Sequence, residues 1–61
     1  GYEEWFVHGH QGETLGPYTI LELDMALSKG NLSRTTYVWK KDLPNWIYLY
    51  QIKDFDRRNT G

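Results

Sequence analysis

The side chains with the widest chemical range in this sequence are His8 and His10, two residues apart, with Glu13 three further on. In an extended segment residues i and i+2 share a face, so two imidazoles at this spacing begin a metal site. Such a site closes only with a third and fourth ligand. Glu13 is the nearest candidate, no second ligating pair follows downstream, and no metal is expected. Paired carboxylates occur at Glu3-Glu4 and at Asp54/Asp56, at the two ends of the chain, where the rigid geometry of general acid–base chemistry is hard to hold. There is no cysteine nucleophile, no Gly-x-Ser-x-Gly elbow and no phosphate-cradling glycine loop. Sixty-one residues are also short for a pocket of several hundred cubic ångströms. Neither catalytic residues nor a cofactor are expected.

Aromatic mass is the distinguishing feature: three Trp, five Tyr and two Phe, with no cysteine to supply a disulfide. A chain this short buries only about 60% of its unfolded surface, and each ring buries roughly 150–250 Å². The expectation is a core built from rings. Trp5, Trp39 and Trp46 have a second reading as an aromatic cage for a quaternary ammonium. Their spacing shows no convergence, and a core position is the expectation for Trp39 and Trp46. The net charge of −1 draws the chain to neither nucleic acid nor an anionic membrane, and Arg57-Arg58 reads as a solvated end. No apolar run approaches the roughly 20 residues of a membrane span. No signal-peptide pattern opens the sequence, which with the absence of cysteine leans towards an intracellular setting. Gly1 reads as a cleavage scar, residues 1–3 as a disordered start, 4–55 as the domain and 56–61 as a disordered tail.

The elements that must position these residues follow from local pattern. Glu4 to His8 is a strand with Trp5 and Val7 on one face and Phe6 on the other. His10 to Thr14 is a loop leading to a short strand near Leu15, which Gly16-Pro17-Tyr18 is expected to end, since Pro17 cannot donate to a ladder. Thr19 and Glu22 form a capping box, and Ile20, Leu23 and Leu27, with Ala26 beside them, mark the apolar stripe of a helix. Leu21 and Met25 flank that stripe, as added core or as exposed surface. Lys29 is expected in the last turn and Gly30 as the left-handed stop. Thr35 to Lys40 is a strand by propensity. Lys41 to Asn45 is a turn, Trp46 to Tyr50 returns to the core, and Ile52 and Phe55 dock a final turn. The order β-β-α-β-β predicts an α+β domain, one helix on a small antiparallel sheet.

From Gly16-Pro17-Tyr18 onward the sequence resembles the GYF domain, a small adaptor fold that meets proline-rich ligands with an aromatic surface. The family signature runs Gly-Pro-Phe, four residues, Met, two residues, Trp, three residues, Gly-Tyr-Phe. That register gives Gly16-Pro17-Tyr18, Leu23 for the Met, Ala26 for the Trp and Gly30-Asn31-Leu32 for the closing triplet, with Trp5 eleven residues upstream. The divergent GYF-like subgroup is more similar still: Trp5-Phe6, Gly12, Gly16-Pro17, Leu21 to Leu27, Gly30, Val38-Trp39 and Trp46 fall in its order, from Trp5 to about Ile52.

The resemblance implies a module for a protein or peptide partner; no nucleic acid and no membrane insertion are expected from the charge and the lack of an apolar span, and a monomer is expected. Its peptide-binding surface would comprise Val7, Leu15, Tyr18, Leu23, Asn31 and Leu32. The family's rings fall by register on Val7, Tyr18, Ala26 and Asn31, of which only Tyr18 is aromatic. An extended, proline-rich ligand slots prolines between aromatic walls, so this departure bears directly on ligand choice. Leu23 and Val7 also read as core. The competing role is structural, with the module packing on other domains of a parent protein or on a copy of itself.

Overall fold

Strand β1 (Trp5–His8) is the spine of the molecule, a computed structural model of which describes residues 4–52. Its alternation is as expected: Trp5 and Val7 are buried on the helix side, and Phe6 faces the other way, half-buried. The first hairpin closes where Gly9 N–H donates to the Glu13 carbonyl at 2.8 Å, and β2 (Thr14–Tyr18) returns antiparallel with Val7 opposite Leu15 and Trp5 opposite Tyr18.

Gly16-Pro17 does not end β2. The strand continues through a cis Gly16-Pro17 bond to Tyr18, and the register shifts between Trp5 and Val7. The sheet order β2-β1-β3-β4 explains this: β2 is an edge strand, where a residue without an N–H breaks no bond to a further neighbour. Gly16 holds φ at +122°, and a Cβ there would stand 2.7 Å from the Trp5 carbonyl oxygen, so the close approach to β1 requires glycine.

Helix α1 (Ile20–Ser28) begins at the capping box. Glu22 N–H donates to Thr19 Oγ1 at 3.0 Å, and Thr19 N–H donates to Glu22 Oε1 at 2.9 Å, which satisfies two donors the first turn would otherwise leave bare. Its end is a Schellman motif: Gly30, at φ +80°, donates to the Leu27 carbonyl and Asn31 to the Ala26 carbonyl. Lys29 is the C-cap itself, just beyond the last turn.

Strand β3 (Tyr37–Trp39) is shorter than the predicted Thr35–Lys40. Thr36 N–H donates to the Ser33 carbonyl, and Thr36 Oγ1 accepts from Ser33 N–H at 2.9 Å, so hydroxyl chemistry draws Thr35 and Thr36 into a turn. β4 (Ile47–Tyr48) completes the antiparallel sheet and passes into a 3₁₀ turn at Leu49–Gln51. Leu49 N–H and Tyr50 N–H bind the carbonyls of Thr36 and Arg34, fastening the C-terminal side of the fold to the loop before β3. The α+β class and the β-β-α-β-β order are those expected.

Among the described residues the core is not built from rings. It comprises Trp5, Val7, Leu23, Val38, Leu49 and Ile52, five of them aliphatic. Trp39 is half-buried and Trp46 is 37% exposed, so neither takes the core place expected of it. Both lie on the sheet face away from the helix, where no second layer covers them among the described residues, and the rings shield one another instead. Glu3, Asp54, Phe55, Asp56 and Arg57-Arg58 lie outside the described residues, as do the segments read as a disordered start (1–3) and tail (56–61).

Candidate functional site

Between α1 and the β1–β2 hairpin runs an open groove of about 420 Å³, a larger concavity than the chain length suggested. Its floor is Val7 from β1 with Leu15 and Tyr18 from β2. Those two are three residues apart, and the extra β2 residue at the register shift, where a step of two residues in β1 opposes a step of three in β2, lets both line the groove. One wall is helical. Glu22, Met25, Ala26 and Lys29 recur at i, i+3, i+4 and i+7, one turn above another, with Leu23 beneath. The far end is closed by Asn31 and Leu32, carried there by the Schellman turn at Gly30.

All six residues that the sequence singled out, Val7, Leu15, Tyr18, Leu23, Asn31 and Leu32, line this groove. They contribute differently. Val7 and Leu23 are almost fully buried and serve the core as much as the groove, Tyr18 and Leu32 are half-buried, and Leu15 and Asn31 are exposed. Sequence reasoning left Met25 open and passed over Glu22 and Lys29 as wall residues. The i, i+3, i+4, i+7 spacing of the wall is the signal that finds them. Met25 is 49% exposed, and its unbranched thioether suits a surface that must adapt to a ligand. Leu21, 61% exposed, lies outside the groove lining.

The charges at the groove are one of each sign. The Glu22 carboxylate is engaged by its own N-cap, and Lys29 stands at the opposite end of the helix. Asn31 adds an uncharged polar side chain, the rest of the lining is chiefly apolar, and Tyr18 is the aromatic ring in it. Such a surface offers van der Waals contact and a phenol, and no group placed for bond-making chemistry.

The other candidate constellations disperse. Glu13 Oε1 accepts from Gln11 N–H at 2.9 Å, so the carboxylate nearest the two histidines closes its own loop. Among the described residues no group of three His, Cys, Asp or Glu side chains is placed to hold a metal. Trp5 lies in the core, apart from Trp39 and Trp46. Those two approach each other with ring centroids 6.5 Å apart, and Phe6 lies 6.1 Å from Trp39 on the outer face of the sheet. The Trp39 indole N–H donates to the Leu43 carbonyl at 2.8 Å, fixing that ring over the β3–β4 turn. Beside this cluster Tyr37, Tyr48 and Tyr50 stack at 5.0 and 5.7 Å, with the Arg34 guanidinium 5.7 Å over Tyr50. Among the described residues no helix is long and apolar enough to cross a membrane.

The family model described as GYF domain 2 matches residues 5–55, nearly the whole chain. The chain belongs to the GYF domain family. GYF domains are non-catalytic modules of protein–protein contact that generally bind proline-rich peptides. Searches of curated proteins and of solved structures return no match. Val7, Tyr18, Ala26 and Asn31, the positions on which the resemblance places the family's rings, all line the groove, and of the four only Tyr18 is aromatic.

Proposed function

We propose that this GYF domain is an adaptor that docks an extended, proline-containing segment of a partner protein in the groove between α1 and the β1–β2 hairpin. The observation that carries the reading is the convergence of Leu15, Tyr18, Met25 and Leu32 on one open, chiefly apolar trough. An extended segment without internal hydrogen bonds lies against such a trough with little ordering cost, its proline rings packing on Tyr18 and on the Met25 thioether. With one ring for walls that usually have several, aromatic slotting is reduced and contact with aliphatic side chains takes its place. The contact is small, and a dissociation constant of about micromolar or weaker is expected.

The test is a ¹H–¹⁵N titration with a panel of Pro-Pro-Gly-containing peptides, repeated with Tyr18→Ala. Shifts clustering at Leu15, Tyr18, Met25 and Leu32, and an affinity about tenfold lower in the variant, are expected for truncation of a central aromatic anchor. A silent titration, or a Tyr18→Ala protein that loses its fold, removes the assignment.

A second reading, packing on another domain or on a copy of this one, is favoured by Leu21, which stands out from the helix at 61% exposure. Sedimentation that stays monomeric over a wide concentration range would remove the self-association form of that reading.

A further inference from the structure

On the opposite side of the core from the groove, and sharing no residue with it, is a cleft of about 360 Å³. Trp5 lines it, and its indole Nε1–H, in a residue only 5% exposed, is buried without a hydrogen-bond partner among the described residues. An indole N–H can only donate, and a buried donor left unmet is unfavourable. The other polar groups of the cleft point to the same need. Lys40 Nζ stands 5.4 Å from the centroid of the Trp5 ring, and Gln51 has its Oε1 engaged by Tyr48 N–H at 2.8 Å, which leaves its NH₂ donors to offer. Glu4 is the acceptor at the mouth, but its contact with Lys40 is long, 3.9 Å, between two solvent-exposed side chains, and such a pair yields readily to a competing carboxylate. The remaining walls, Ile20, Leu43, Ile47 and Ile52, are apolar.

We propose that this cleft captures the free C-terminus of a partner polypeptide that ends in an apolar residue. The carboxylate takes the charge of Lys40 and the donors of Trp5 and Gln51, and the last side chain lies on the isoleucines. A terminal residue carries a carboxylate and an apolar side chain on one Cα, which an internal Asp or Glu does not, and the volume is at the small end for ligand sites. Gln51 at the rim is exposed, and the Lys40 side chain is 39% exposed with only the long Glu4 contact to give up, so the entering group displaces that contact. The site is independent of the peptide groove, so either assignment can fail alone.

The probe is N-acetyl-leucine, titrated into the ¹⁵N-labelled chain beside N-acetyl-leucinamide, which keeps the side chain and lacks the charge. The acid is expected to move the Trp5 indole and Gln51 side-chain amide resonances, and to bind about tenfold more tightly than the amide. Lys40→Gln, a substitution at a surface position, should leave the rest of the spectrum in place and bring acid and amide level. Equal response to acid and amide in the unaltered chain, a Trp5 indole resonance that stays fixed, or shifts confined to Leu15 and Tyr18 would each overturn the proposal.

Discussion

On the helix side of the sheet Val7, Val38 and Leu23 are aliphatic and almost wholly covered. On the other side Phe6, Trp39, Tyr37, Tyr48 and Trp46 are rings, half-covered or exposed. The same strands supply both faces, one residue apart. Where a second layer is present, compact branched side chains fill the space between sheet and helix, and among the described residues Trp5 is the one ring fully buried there, with Tyr18 packed at its margin. Where none is described, flat side chains lean on one another, Phe6 on Trp39, Trp39 on Trp46, His8 edge-on to Trp46, Tyr37 on Tyr48. Aromatic residues here are the covering of a naked sheet face rather than the filling of the core.

The sharpest way to break that contrast is to empty a position on each side. Leu23→Ala removes a side chain 1% exposed, and a loss of about 2–5 kcal/mol is expected, enough to leave a domain of this size largely unfolded. Trp46→Ala removes a much larger side chain but one held chiefly by pairwise ring contacts. The expected loss is nearer 1 kcal/mol, the scale of an aromatic pair. Thermal melts followed by circular dichroism read both. If Trp46→Ala is as damaging as Leu23→Ala, the outer rings are a second core and the contrast fails.

A smaller effect concerns the tyrosines alone. The Tyr37 hydroxyl is raised above its ordinary pKa of 10.0, first by hydrogen bonding with Tyr48, then by the charge of the same neighbour, with desolvation last. A raised value means the fold favours the neutral phenol. That contribution is intact below pH 10 and fades as pH climbs through the folded value. The melting temperature should therefore fall above pH 10, and fall less steeply in Tyr48→Phe. Identical slopes in the two proteins would leave the stack without an energetic role.

The parts of this fold legible in the sequence are those whose causes are local. A capping box needs four consecutive residues, a Schellman stop needs Gly30, and the face assignment of Trp5, Phe6 and Val7 needs only alternation. The parts that were not legible depend on neighbours distant in sequence. Pro17 reads as a strand end until β2 is known to be an edge. Thr35 and Thr36 read as strand until Ser33 competes for them. Alternation separates Trp39 from Val38 but does not say which face the helix will cover. The residues that line the groove were singled out through family register, because its floor and wall come from segments with separate periodicities. The Trp5–Lys40 cleft, assembled from β1, the start of α1, the β3–β4 connection and the 3₁₀ turn, had no signature at all.

One consequence of the sheet order remains. β2, at one border, carries Pro17 without an N–H, and β4, at the other, is two residues long before the chain turns into a 3₁₀ coil. Among the described residues, a proline within one border and the shortness of the other make both poor templates for a foreign strand. Copies crowded together, on one polypeptide or on one surface, would gain little by joining these two borders edge to edge.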